Sequence, residues 1–199
     1  MPNPESQGPQ RIAGVDEAGR GPLAGPVAVA AVILSQGQDW EVIDDSKRLS
    51  AARRCELAAM IKSRALAWHV RLIRSDLIDR MNILQATLYG MQLVVAALDP
   101  RPTQVLVDGN RCPDFKLPGK AVIGGDGLEK CIGAASILAK TQRDDYMVAL
   151  DLQFPGYGFA RHKGYPTPEH LDALERLGPM HEHRHSFAPV RERLQRDLR

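Results

Sequence analysis

Four acids in this chain stand where a carboxylate is costly and therefore informative. Asp16 and Glu17 close the apolar run in I-A-G-V-D-E-A-G. Asp108 closes V-L-V in V-L-V-D-G-N-R, and Asp126 follows A-V-I-G-G. Each is followed shortly by glycine. A strand interior gains nothing from two acids. Acids at neighbouring strand ends would repel one another, and a divalent cation relieves that repulsion. Ligands that are all oxygen, with no Cys or His, suit Mg²⁺ or Mn²⁺ better than Zn²⁺.

Each acid also has a plainer reading. Asp108-Gly109 is a common turn dipeptide. Asp126 with Glu129 spells a capping box for the helix that follows. Asp16 and Glu17 are adjacent, so a regular strand sends them to opposite faces. Either the backbone bends at Ala18-Gly19, or Glu17 acts from the other side of an ion; both remain open.

The elements that must position these acids can be read from pattern. Residues 11–18 form a strand, and Pro26 to Leu34 a second, buried one. The Gly/Pro-rich stretch between them implies an antiparallel return. A helix capped by Ser50 comes next, then a strand with Leu66, Trp68, Val70 and Leu72 on one face. Asn82 caps a long helix that Pro100 ends. Two short strands follow, Q-V-L-V-D and A-V-I-G-G-D, then helices from about Leu128 to Leu150 and Pro168 to Leu177, and a basic terminal helix. Three meandering strands followed by helix-linked ones imply an α/β fold with a mixed sheet flanked by helices.

Three near-matches to known motifs fail on context. Gly14 to Gly21 imitates a phosphate loop but puts two acids inside an anion cradle. Gly19 to Ala24 fits a loose dinucleotide pattern, yet a strand follows where a helix is needed. His181-Glu182-His183-Arg184-His185 satisfies H-E-x-x-H, the mark of a zinc metallopeptidase. Gly178-Pro179 and Pro189 crowd it, and it lacks apolar residues to pack a helix. A polar loop near substrate, or solvated surface, is the ordinary reading.

The 199 residues suit one domain, 1–199, with a flexible lead over 1–10. Hydrophobic residues make up 44% and charged ones 25%, a soluble balance. The net charge is +2, so a nucleic-acid partner would rely on local clusters of bases. Cys55, Cys112 and Cys131 are odd in number and far apart, which suits a reducing cytoplasm. There is no apolar leader and no stretch long enough to span a bilayer, so no membrane is expected.

Six segments resemble the ribonuclease HII family, the type 2 ribonucleases H. They are D-E-A-G-R-G-P-L-A-G-P-V, D-D-S-K-R-L-S, L-V-D-G-N-R-C-P, G-G-D-G-L-E-K-C-I-G-A-A-S-I-L-A-K-T-Q-R-D, G-Y-G-F-A-R-H-K-G-Y-P-T and H-S-F-A-P-V. They run in family order over about Ile12 to Val190. Gly127 stands where Ser or Ala is frequent, and His185 where Arg is frequent.

The resemblance implies a ribonuclease H-like five-stranded mixed sheet with a helical C-terminal region, about 160–199, that contacts substrate. It implies endonucleolytic cleavage of RNA in RNA–DNA hybrids and incision at single ribonucleotides in duplex DNA, leaving 3′-hydroxyl and 5′-phosphate ends. Asp16, Glu17, Asp108 and Asp126 match the family's catalytic, metal-binding acids, with Mn²⁺ or Mg²⁺ as cofactor. Gly19-Arg20-Gly21 supplies main-chain contacts to the ribonucleotide, since glycine admits close approach. Tyr165 bonds the 2′-hydroxyl and stacks on the adjoining sugar. Ser136, Lys140 and Arg143 lie at i, i+4 and i+7, one helix face, which is either a solvated stripe or a set of phosphate contacts. Lys47, His162 and Lys163 are further phosphate candidates. A monomer is expected. The rivals are a non-catalytic hybrid-binding module, which would need the bases and Tyr165 but not four acids, and the zinc peptidase.

Overall fold

Asp16 is carried by the central strand of a five-stranded sheet. The computed structural model describes residues 10–43 and 49–197. β1 (Ile12–Ala18) runs antiparallel to β2 (Val27–Ile33), and β2 antiparallel to β3 (Ala67–Ile73). β4 (Gln104–Asp108) lies parallel to β1, and β5 (Gly119–Val122) parallel to β4. The order across the sheet is β3-β2-β1-β4-β5, the mixed arrangement that the strand pattern implies.

The helices are α1 (Ala51–Arg64), α2 (Ser75–Met81), α3 (Ile83–Ala96), α4 (Gly125–Leu128), α5 (Lys130–Gln153), α6 (Phe159–His162), α7 (Pro168–Leu177) and α8 (Ala188–Asp197), of which α3 covers one face of the sheet and α1 and α5 the other. Local chemistry starts several of them. The Ser50 hydroxyl accepts from the Arg53 N–H at 3.2 Å, and the Asn82 side chain from the Gln85 N–H at 3.1 Å. Thr167 caps α7, with Pro168 at its first position, where a missing N–H costs nothing.

Two apolar layers hold the sheet. Ala13 and Val15 of β1, Val27, Val29 and Ala31 of β2, and Val105 and Val107 of β4 pack with α3. Ala28, Ala30 and Val32 of β2 pack on the other face with α1 and α5. Each fully buried valine contributes about 1.5–3 kcal/mol, and each alanine methyl less. Gly14 has no side chain for a reason: a Cβ there would overlap the Cys131 backbone. That close approach lays the start of α5 against β1 and sets Ser136 beside Asp16.

Some elements differ from the pattern. The seven residues of α2 were not foreseen: the helix is short and lacks a side-chain cap at Arg74. α3 stops at Ala96, ahead of Pro100. β5 ends at Val122 because its pairing with β4 runs out at Asp108↔Val122. Asp126 therefore sits in α4, not at a strand end; Gly124 caps α4, and Glu129 caps α5 without a side-chain cap bond. On edge strand β3, Val70 and Leu72 pack inward, while Trp68 stays 39% exposed under the Lys62 ammonium. Among the described residues, no helix is long and apolar enough to cross a membrane. The lead over 1–9 lies outside the described residues, as does Lys47.

Candidate active site at the strand ends

Val15 pairs with Val107 across β1 and β4, so Asp16 and Asp108 leave adjacent, parallel strand ends. β1 stays paired through Ala18↔Ala28, so the backbone does not bend before Gly19. Asp16 therefore points to the α5 face, where Ser136 hydrogen-bonds it. Glu17 shares the parity of Ala13 and Val15 and lies on the α3 face.

Two clefts meet at these acids. One, of about 280 Å³, is lined by Asp16, Glu17, Gly19, Asp108, Ser136, Lys140 and Tyr165. The other, of about 370 Å³, is lined by Glu17, Arg20, Asp108, Asn110 and Arg111 over a floor of Leu84, Leu88 and Met91. Glu17 and Asp108 line both.

The electrostatics are those of crowded carboxylates. Burial first, then the Glu17 and Asp108 charges, hold the Asp16 carboxyl well above its ordinary range, while the Ser136 bond pulls it down. Burial also raises Glu17; Arg20, at 3.3 Å, works against that, and Asp108 adds to it. Asp108 Oδ1 accepts from the Gly125 N–H at 2.8 Å, which ties β4 to α4. Asp126 is the next residue along, half-buried, and lines neither cleft. Among the described residues, no three His, Cys, Asp or Glu side chains form a group that could hold an ion by themselves.

Gly19 and Tyr165 line the smaller cleft, and Arg20 the larger. Gly19 has φ +91°, a conformation that glycine adopts without strain. A Cβ on Gly21 would lie 3.6 Å from the Tyr165 ring, so turn and tyrosine are neighbours. Tyr165 is 41% exposed. Lys140 lines the same cleft and donates to Asp144 at 2.8 Å.

The basic residues separate. Arg143 is fully buried; it donates to the carbonyls of Pro26, Ala24 and Lys163 at 3.1, 3.3 and 2.8 Å. The phosphate contact expected of it is corrected: Arg143 is turned against a loop, not toward solvent, while Ser136 and Lys140 of the same face line the acid cleft. His162 is corrected in the same way. It is buried, its Nε2 donates to the Tyr157 carbonyl at 2.8 Å, and its Nδ1 accepts from Gly164 at 3.1 Å. Lys163 donates to the Ala160 carbonyl and lines a separate pocket with Arg54 and Asp144.

Residues 13–190 match the family described as Ribonuclease HII. A protein of that name from Azoarcus sp. (strain BH72) is 55% identical over 192 residues, 96% of this chain and 94% of its own. The chain belongs to the ribonuclease HII family. As such it is a hydrolytic endoribonuclease acting on RNA–DNA hybrids. The ribonuclease H2 of Pyrococcus horikoshii OT3 has the same fold: TM-score 0.80 and 24% identity, covering 96% of this chain and all (100%) of that one. Bst-RNase HIII, solved in complex with Mn²⁺, is similar at TM-score 0.73 and 19% identity, covering 94% of this chain and 70% of that one.

The H-E-x-x-H segment is not a zinc helix. Residues 181–185 form a turn bridged to Ala24 through His183. Both His183 nitrogens are engaged: Nδ1 accepts from Met180 at 3.1 Å, and Nε2 meets His170 Nε2 at 3.2 Å. Nor is it solvated surface, the ordinary reading of the sequence, because Glu182, His183 and Arg184 are all buried. The pattern reading missed the interior roles of His170, His183 and Arg184. No apolar neighbour in that segment signals its burial.

Proposed function

We propose that Asp16, Glu17 and Asp108 hold divalent cations against the scissile phosphate, with Asp126 completing or tuning the site. The enzyme then incises duplex DNA at single ribonucleotides as well as cutting hybrids, and leaves 3′-hydroxyl and 5′-phosphate ends. The observation that carries this is the shared lining of Asp16, Glu17, Asp108 and Tyr165 in one cleft.

The donor set fits a hard cation. After burial, neighbouring carboxylates hold Asp16 and Glu17 above their ordinary range, and positive charge relieves that crowding. Mg²⁺ and Mn²⁺ keep waters and take substrate phosphate oxygens as ligands, so they need only a few carboxylates from the protein. The Mn²⁺ bound by Bst-RNase HIII supports the same reading. A bound divalent ion supplies a water of lowered pKa and neutralises charge at the leaving oxygen.

The chain's own residues bind and orient. Ser136 and the Glu17 N–H, the latter at 2.7 Å, fix the Asp16 carboxylate. Arg20 offsets Glu17 and rims the larger cleft. Gly19-Arg20-Gly21 and Tyr165 read the 2′-hydroxyl, the one group that separates RNA from DNA. Lys140 faces phosphate, so binding weakens as salt rises. A pure binding module is disfavoured, since three clustered acids repel a polyanion unless cations intervene.

The proposed site draws on residues of one chain alone, so it needs no second copy to be complete. The free thiols of Cys55, Cys112 and Cys131 fit the cytoplasm.

The test is a duplex carrying one ribonucleotide, incubated with Mg²⁺ or Mn²⁺ and then with EDTA. Cutting that EDTA stops supports the reading. Binding without cutting supports the module, and casein hydrolysis restored by Zn²⁺ supports the peptidase.

A further inference from the structure

The H-E-x-x-H segment contributes nothing to the acid cluster, yet its centre is buried deep. Arg184 is 0% exposed. Its guanidinium donates to Gly19 O at 2.7 Å and to Arg20 O at 2.9 Å. It reaches Gly25 O twice, at 3.0 and 2.9 Å. The main chain follows the same course: Arg184 N–H donates to Leu23 O at 2.8 Å, and Gly25 N–H to Glu182 O at 2.8 Å. One planar fork thus grips both ends of the loop that begins at Gly19.

Two features mark this as more than packing. A buried guanidinium normally keeps a carboxylate partner, because its desolvation is costly. Among the described residues Arg184 forms no ion pair; the Asp79 charge lies nearby, while buried Arg143 repels it. What the site takes from arginine is a rigid set of donors, which a lysine cannot reproduce.

The second feature is direction. In a planar trans peptide, C=O and the following N–H point opposite ways. The Gly19 and Arg20 carbonyls turn inward to Arg184. The N–H groups of Arg20 and Gly21 therefore turn outward, on the turn that adjoins Tyr165. Among the described residues neither N–H has an intramolecular acceptor.

We propose that Arg184 is the positioning residue of the ribonucleotide-recognition turn, fixing two peptide planes so that the N–H groups of Arg20 and Gly21 face the sugar beside Tyr165. It touches neither substrate nor the reacting atoms. The inference rests on the reading that this turn and Tyr165 take the ribonucleotide.

The experiment compares two duplexes of one sequence, all-DNA or with a single ribonucleotide, by fluorescence anisotropy in Ca²⁺. The quantity read is the ratio of the two affinities. Partial unfolding lowers both affinities alike and leaves the ratio untouched. The parent prefers the ribonucleotide duplex. Arg184→Gln is expected to lower that preference about tenfold, the scale of losing one hydrogen bond to the sugar, and Arg184→Lys to restore part of it.

Should neither variant fold, Asp79→Ala serves. It leaves Arg184 in place but removes the carboxylate that accepts from His185 N and Ser186 N at 2.8 and 2.9 Å. A smaller fall in the same direction is expected. A folded Arg184→Gln, or Asp79→Ala in its stead, at the parental ratio overturns the inference alone. A parent with no preference overturns the recognition reading and this inference with it.

Discussion

Gly14 of β1 and Cys131 of α5 meet backbone to backbone, closely enough that a Cβ on Gly14 would overlap the Cys131 peptide. The active-site geometry depends on this contact. It brings Ser136, further along the same helix, within hydrogen-bonding reach of Asp16. Gly14→Ala forces strand and helix apart. Overpacking of this kind costs about 1–3 kcal/mol, and backbone cannot yield as a side-chain tip does. Urea melts should show that loss, with cleavage falling further than stability alone explains. An unchanged midpoint would mean that the two elements separate freely.

Tyr165 is exposed at the rim of the acid cleft, next to Gly21. Tyr165→Ala should depress cleavage at a lone ribonucleotide much more than it depresses duplex binding. Single-turnover rates set against binding constants measure this. Equal cleavage by variant and parent would remove Tyr165 from recognition.

Divalent cations should raise the melting temperature of the parent, since the proposed site exists in the native state and not among the dispersed acids of the unfolded chain. In Asp16→Asn the rise should shrink or vanish. Differential scanning fluorimetry across a Mn²⁺ series is the check. A full rise in Asp16→Asn would place the ion elsewhere.

His170 and His183 make stability depend on pH. His170 Nδ1 donates to the Tyr165 carbonyl at 2.9 Å, and Met180 donates to His183 Nδ1, so both rings are neutral and a proton finds no place. Burial, reinforced by His170, pushes His183 down to about 3; burial pushes His170 down to about 4. The unfolded chain takes up these protons near pH 6.5. Below that value it binds protons that the native state refuses, so stability falls as pH drops from about 6.5 toward 4 and is complete above 6.5. His183→Gln should flatten that slope in urea midpoints taken from pH 7.5 to 4.5. A variant with the parental slope would refute the assignment.

Much of the site was legible because acids are rare at the ends of apolar strands. Asp16, Glu17 and Asp108 could be picked out by position, and the sheet register then sets them side by side. Asp126 was harder. Strand β5 ends where its partner ends, which no pattern within A-V-I-G-G-D reveals. Arg143 shows the limit of periodicity: Ser136, Lys140 and Arg143 share a face of α5, yet the first two line the acid cleft whereas Arg143 is turned to the carbonyls of a loop. His183 and Arg184 were illegible for a related reason. Their burial is stabilised by hydrogen bonds to distant backbone, and such partners leave no mark on neighbouring residue types.

The account stands most directly on the cleavage rate of Asp108→Asn at saturating Mg²⁺, with a duplex carrying one ribonucleotide. This substitution keeps shape and the hydrogen bond from Gly125 but removes the charge. The account predicts loss of incision by several orders of magnitude with duplex binding retained. Incision at the parental rate would contradict it.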